Sequence, residues 1–361
     1  MVIHMTKRTI AVIGAGNGGQ AMAGHLAMQG HAVRLYARHP DRLPHVCASK
    51  TIQLTGAVTG VGRLAMVTDS LAAALDGADI IMVVTTADAH GDVARAMAPH
   101  LRDGHVVVLN PGRTGGALEV RHVLRQCRVR AQVYVAEAQS LVYACRIETP
   151  GCVTIIGVKD HVLLAALPAA DTVHVLAHVA PLYPCFQPAP HVVATSLENI
   201  GAIFHPAIVV CNAAAIERGV SFHMYEDMTP AVARLITTLD AERCAIGAAY
   251  GLQLRSAADW IAHAYRGIAG DDLCSRMRNN PAYARILAPT TLRSRMLLED
   301  IPAGILPMTE FARLARVATP CMHALLAISE ALLGDDLLRG QRTLAQMGVS
   351  ARSVDQLLRS L

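Results

Sequence analysis

Residues 9–14, TIAVIG, form an apolar run that passes without a break into GAGNGG, which puts Gly14, Gly16 and Gly19 at G-x-G-x-x-G spacing. The hexapeptide alone is a weak signal, but a strand before it and a helix after it, over residues 20–29, make it a dinucleotide-binding turn. Gly14 permits the tight turn, Gly16 lets the backbone approach a pyrophosphate, and Gly19 allows the helix to pack closely on the strand. The positive end of that helix favours the ligand's negative charge. Asn17 and Gly18, within the same hexapeptide, are assigned to the cofactor with them.

The rest of the first half continues the pattern. Residues 31–37 (HAVRLYA), 79–85 (DIIMVVT), 105–110 (HVVVLN), 132–137 (QVYVAE) and 152–158 (CVTIIGV) read as further strands, alternating with helical stretches. Continuous apolar strands of this kind belong to a sheet covered on both faces. The pattern changes over residues 186–196, FQPAPHVVATS, which read as a linker; beyond it only helices are expected, at 206–218, 229–250, 256–267, 309–316 and 319–333. The expected fold class is an α/β N-terminal Rossmann domain (doubly wound, mainly parallel sheet), residues 1–188, plus an all-α C-terminal substrate and catalytic domain, residues 189–361. Such folds place the active site in the cleft between domains.

Composition excludes several classes of function. At 361 residues the chain is long enough for two cores, and although 53% of it is hydrophobic, no apolar run is read as approaching the roughly 20 residues of a membrane span. The opening MVIHMTKRTIAVIG lacks the apolar region and cleavage site of a secretory signal, so no membrane association and a cytoplasmic location are expected. Nine cysteines without a C-x-x-C pair suit reduced thiols rather than disulfides or a metal site. The net charge of +4 is mild and mixed with acids, which implies no nucleic acid.

Coenzyme choice is read at the end of the second strand, where an NAD site wants a carboxylate for the ribose hydroxyls. Ala37 stands there and Arg38 follows, so a 2′-phosphate meets a guanidinium and no repelling acid. NADP(H) is the expected cofactor, with NAD left open because Asp41 could serve the ribose. Thr85 and Thr86, the turn Asn110-Pro111-Gly112, and Glu137 lie at the carboxyl edge, where these folds bind ligand.

In the second half, ENIGAIFHPAIVVCNAAAIERG sets His205 just before Pro206. Proline is favoured at the first helical position, so His205 is expected at the helix's positive boundary, either as a cap or as an acid–base group. An imidazole, with an ordinary pKa of about 6.5, can give and take protons near neutrality. Glu299-Asp300 and Arg295 read equally well as a solvated face.

These motifs occur together and in order: GAGNGG, LNPG followed by TGGALE, Cys145-Arg146, TSLENIGAIFHP, MTPAVARLITTLDAER and RMLLED. With them the chain resembles the opine dehydrogenase family, of the octopine/nopaline dehydrogenase type, over nearly its whole length. The resemblance implies a Rossmann domain joined to a helical domain, and reductive condensation of an α-keto acid with the amino group of an amino acid using NAD(P)H. It makes His205 the catalytic histidine of an N-x-x-x-x-x-H-P segment and Asp300 its partner, and gives Arg295 the task of gripping a substrate carboxylate. Asn199 and Tyr143 are expected at the substrate with them. Two positions depart from the family's pattern, Met296 in place of tyrosine and Arg293 in place of asparagine, and Val84-Thr85-Thr86 replaces a more usual Val-Pro. The amino donor is therefore left open.

Two alternatives stand beside this reading. One is a β-hydroxyacid or ketopantoate-type reductase, which uses a lysine from its helical part, whereas the only lysines here are Lys7, Lys50 and Lys159. The other is a non-catalytic NADP-sensing protein. The expected partners are small molecules, and the apolar segment 321–333 is left as either core or the face of a homodimer.

Overall fold

The structure, a computed structural model, describes residues 7–265, 267–334, 337 and 341–361. The first six residues of the opening stretch and Arg266 of the expected helix 256–267 lie outside these. The chain separates into two units, one of Met1–Gly112 with Gly116–Thr195, the other of Arg113–Gly115 with Ser196–Leu361. The division thus falls after Thr195 rather than after Pro188, and a three-residue segment crosses over early. The reason is that residues 186–196 are not a free linker: Phe186–Pro188 forms a strand and Val192–Leu197 a helix.

The strands of the first unit are β1 (Thr9–Ile13), β2 (Ala32–Tyr36), β3 (Thr51–Gly56), β4 (Gly60–Arg63), β5 (Met66–Thr68), β6 (Ile80–Val83), β7 (Val106–Leu109), β8 (Tyr134–Ala138), β9 (Tyr143–Thr149), β10 (Cys152–Val158), β11 (Val162–Leu167) and β12 (Phe186–Pro188). Eight of them form one sheet in the order β12-β11-β8-β7-β6-β1-β2-β5, parallel except where β11 meets β8. Strands β6 and β7 are buried at every residue, which is why they read as unbroken apolar runs. The run 152–158 misled for the same reason. As β10 it leaves the main sheet and joins a second one, β4-β3-β10-β9, with only one face covered and Ile156 left 46% exposed. In the same sheet β3 and β4 are short and alternating, so continuous hydrophobicity could not reveal them.

The glycine turn is built as its spacing requires. Gly14 has φ +113°, and a side chain there would run into the Val84 carbonyl; one on Gly19 would run into the Gly14 carbonyl. The helix Asn17–Met28 therefore packs directly on β1. Glu137, expected at the cofactor, is fully buried. One carboxylate oxygen accepts from the Ala117 N–H (2.7 Å) at the start of the helix Gly116–Gln126, and the other from the Thr195 hydroxyl (2.6 Å).

In the second unit no strand occurs among the described residues. The expected helices at 229–250 and 319–333 appear as Pro230–Ala249, capped by the Thr229 hydroxyl, and Pro320–Leu333. The segment around His205 differs. Its helix runs Ile200–Cys211, begun by Asn199, so Pro206 lies inside it and His205 sits in its second turn, not at its boundary. An internal proline removes one hydrogen bond and costs about 3 kcal/mol, which packing must offset. Ile200, Ile203, Phe204, Ile208 and Val209 are all buried. Contrary to the sequence reading, Val192–Cys211 has the length and hydropathy of a membrane span; 89% of that window is buried inside the protein, and the helix breaks at Glu198-Asn199, as a core segment would. The expected helix 309–316 starts earlier, at Leu306, and continues a π-helical turn, Ile301–Ile305, that begins directly after Asp300.

Glu137→Ala should orphan the buried Ala117 N–H at about 1–3 kcal/mol, while the Thr195 hydroxyl keeps the Val192 carbonyl (2.9 Å). Urea unfolding followed by circular dichroism should show a lower midpoint; an unchanged midpoint would return Glu137 to the cofactor edge.

Candidate active site

Within the helical unit the His205 Nδ1 lies 2.7 Å from Asp300 Oδ2, and its Nε2 lies 3.1 Å from the Tyr225 hydroxyl. The side chain of Asp300 is completely buried and that of His205 nearly so. Burial by itself would raise the Asp300 carboxyl; the charges of Arg113 and His205 outweigh it and hold the group at about 2 instead of 3.8. Asp300 is therefore an ionised acceptor, and the proton of a neutral imidazole must sit on Nδ1. That leaves the Nε2 lone pair facing Tyr225, whose ring stacks on Tyr283 at 4.5 Å.

Arg113 completes the centre. Its Nε and Nη2 donate to the two oxygens of Glu299 (3.3 and 3.4 Å), and its Nη1 lies 3.2 Å from Asn199 Oδ1 and 3.3 Å from Asp300 Oδ1. Burial disfavours its charge, but the two carboxylates raise its pKa above the ordinary arginine value. Nothing in the sequence reading selected Arg113 or Tyr225. The available signal for Arg113 was its place directly after Asn110-Pro111-Gly112; for Tyr225 there was none.

The expected residues fall into three groups. His205 and Asp300 meet. Arg295 reaches the cluster only through Glu299, to which its Nη1 donates at 3.4 Å, and its side chain is 56% exposed. Asn199 is buried, with its amide bonded to Arg113 and to the Thr114 hydroxyl (3.2 Å). Tyr143 belongs to the other unit. It lies in the sheet core, with its hydroxyl bonded to Tyr183 and His25 at 2.8 Å each.

The cofactor candidates gather in the first unit. A side chain on Gly16 would meet nothing within 4 Å, so the turn is open where a pyrophosphate would lie, and the buried Thr85 Oγ1 has no hydrogen-bond partner. Both features fit a dinucleotide. Asn17 uses its side chain to accept from the Ile147 N–H (2.9 Å), leaving its backbone for a phosphate, and Gly18 packs against Leu141 and Val84. Thr86 is exposed. Asn110 donates its amide to the Val108 carbonyl (3.1 Å) and leaves its buried Oδ1 without a hydrogen-bond partner, and Gly112 sits against Glu137. Ala37 is buried, with its N–H on the Thr68 carbonyl (2.9 Å), and Arg38 is exposed.

A glycine-turn nucleotide unit joined in one chain to an all-helical unit that carries a buried histidine–carboxylate pair defines an NAD(P)-binding dehydrogenase. Residues 188–333 match the family model described as NAD/NADP octopine/nopaline dehydrogenase, alpha-helical domain, and residues 9–113 match that of the NAD-dependent glycerol-3-phosphate dehydrogenase N-terminus. An opine dehydrogenase from Arthrobacter sp. (strain 1C) is 34% identical over 346 residues, 95% of this chain and 96% of that protein. The chain belongs to the opine dehydrogenase family and is an oxidoreductase. Its fold is shared with octopine dehydrogenase solved with NADH and L-arginine (TM-score 0.82, 22% identity, 98% of both chains). The same holds for yersinopine dehydrogenase with NADP+ bound (TM-score 0.75, 17% identity, 99% of this chain and 100% of that one).

Because Asp300 titrates lower in the folded chain than its ordinary 3.8, it contributes stability that is present above about pH 4 and lost as pH falls toward 2. Asp300→Asn should therefore be less stable than the wild type near neutrality, with the gap narrowing as the pH falls below about 4. Denaturant unfolding across that range tests it; a gap that stays constant with pH would contradict the ionised, paired state.

Proposed function

We propose that this enzyme uses NADPH to condense a pyruvate-like α-keto acid reductively with the amino group of an amino acid, giving an N-carboxyalkyl amino acid, and that it runs the reverse oxidation. The observation that carries the reading is the Asp300–His205 pair, in which Nε2, turned to the Tyr225 hydroxyl, is the nitrogen left to exchange a proton. The amino group must lose a proton to attack the keto carbon, and the resulting carbinolamine must gain one to expel water. A single imidazole can do both. Asp300 holds the Nδ1 proton in place and stabilises the imidazolium formed in between. The nicotinamide, when bound, supplies the hydride.

Arg295 offers an exposed guanidinium on the same segment as Asp300, suited to bidentate capture of a substrate carboxylate. Ala37 and Arg38 support NADPH over NADH. Thr85, Thr86 and the Gly14–Gly19 turn are the groups that would hold the dinucleotide. A lysine-based reduction is disfavoured because no lysine follows Lys159, whose Nζ is bonded to Ser140 Oγ (2.9 Å) and the Leu141 carbonyl (3.0 Å) in the first unit.

NADPH oxidation by the purified protein with pyruvate and single amino acids tests the whole reading; tight NADPH binding without turnover for any keto acid and amine pair would make the chain a sensor. His205→Ala should lower kcat by about 10²–10⁴-fold with NADPH binding intact. Asp300→Asn should cost a comparable factor, and the double variant should be little worse than the poorer single one, since the pair acts as a unit. Wild-type turnover in His205→Ala would sink the mechanism. Arg38→Ala should weaken NADPH binding by about 1.5–3 kcal/mol while sparing NADH; equal use of both coenzymes by the wild type would defeat that preference.

A further inference from the structure

Arg113, Thr114 and Gly115 follow the Asn110-Pro111-Gly112 turn in sequence yet pack within the helical unit. The segment is fastened at each residue. The Thr114 N–H donates to the Ala303 carbonyl (3.2 Å), the Thr114 hydroxyl to the Ser196 carbonyl (3.2 Å), and the Gly115 N–H to the Ser196 hydroxyl (2.9 Å). Arg342 donates to the Thr114 carbonyl at 3.3 Å. Arg113 itself has φ +59°, a left-handed conformation that few non-glycine residues adopt and that its surroundings must enforce.

That conformation delivers a buried guanidinium to two adjacent buried carboxylates. Neighbouring carboxylates out of water repel one another and need a cation between them. Arg113 takes Glu299 by a two-pronged contact and lies 3.3 Å from Asp300 Oδ1, the oxygen that His205 does not use, as an ion pair without a hydrogen bond, so Asp300 has a cation on that side and the imidazole on the other. We propose that Arg113 is a positioning residue for the reaction: it fixes the plane of the Asp300 carboxylate, and through it the His205 ring, while balancing the charge of the Glu299–Asp300 pair. This role rests on the histidine–aspartate reading above. A planar fork suits the task, and a lysine's single ammonium cannot span both carboxylates in the same way.

The groups facing Asp300 are His205 from the helix Ile200–Cys211, Arg113 from the inserted segment, its own neighbour Glu299 and, farther off, Arg295; Tyr225 lies across the imidazole. Removing Arg113 leaves the two carboxylates unbalanced, which raises the proton affinity of the His205–Asp300 pair. The pair then takes up an inactivating proton at a pH where the wild type still works. For Arg113→Ala we expect kcat to fall by about 10²-fold, the cost of a misplaced catalytic group, with NADPH binding and the keto-acid KM little changed. The acid limb of kcat against pH should move to higher pH. Arg113→Lys should show both effects to a smaller degree, and adding Glu299→Gln to it should bring the limb back toward the wild-type position.

Wild-type kcat in Arg113→Ala overturns the role. So does a lowered kcat whose acid limb coincides with the wild type while the melting temperature drops, since a merely structural arginine would behave in that way. Should Arg113→Ala not fold, Arg113→Lys gives the same readings, and an unshifted limb there is equally fatal. His205→Ala measured in parallel separates the two readings. Turnover surviving in it overturns the dyad and this role together, whereas turnover lost in it with the Arg113 variants unaltered overturns the role of Arg113 alone.

Discussion

Two carboxylates side by side in the interior, Glu299 and Asp300, are the constraint around which the helical unit is arranged. An isolated buried carboxylate protonates rather than stay charged, and a pair of them does so more readily. Asp300 remains ionised because Arg113 and His205 stand on either side of it, and Glu299 is bridged by Arg113 and Arg295. Removing any one of these groups leaves an uncompensated buried charge, a far larger loss than the modest net value of the ion pairs themselves. The same surroundings that keep the carboxylate charged also fix which nitrogen of the neutral imidazole carries the proton, so charge balance and chemical competence come from the same contacts.

Backbone irregularity supplies the positions. Pro206 interrupts the hydrogen-bonding of its own helix one residue after His205, and a π-helical turn starts one residue after Asp300. Such turns recur at functional sites because they re-aim side chains that a regular helix would send elsewhere. Arg113 comes from a left-handed residue in a three-residue insertion. None of these three devices is the local optimum for its sequence, and each is held by dense packing around it. Elsewhere in the unit the fully buried Arg243 does comparable structural work, donating to Asp240 (2.8 Å), to the Leu197 carbonyl (2.9 Å) and to the Arg255 carbonyl.

This division explains what the sequence disclosed. The glycine turn and the buried strands β1, β6 and β7 were legible because their local rules, close approach at Gly19 and burial on both faces, leave direct marks in composition. The pairing of His205 with Asp300 followed from resemblance, not from spacing, since ninety-five residues separate them and no periodicity links them. Arg113 was invisible because an arginine after a turn reads as a solvated charge; only tertiary packing shows it buried. Tyr143 and Glu137 were selected for their polar groups near a ligand-binding edge, and what the sequence did not disclose is that both make internal hydrogen bonds, Tyr143 with Tyr183 and His25, Glu137 with Ala117 and Thr195. The start of the His205 helix was misplaced because proline's preference for a first turn is a weaker term than the burial of the apolar residues ahead of it.

The segment carrying Arg295 and Asp300 shows how one short stretch can hold chemistry constant while tolerating change. Arg293 and Arg295 are exposed and Met296 is partly so, whereas Leu297, Glu299 and Asp300 are buried. Two of the departures from the family's pattern, Arg293 and Met296, therefore fall on the side of the segment where a substitution strands no charge and opens no large cavity. A change at 299 or 300 would do the former, and one at Leu297 the latter. The outer side chains can vary at little energetic cost, while the inner ones are fixed by the charge balance with Arg113 and His205. Divergence in this segment is thus expected to alter what is bound before it alters how a proton is moved.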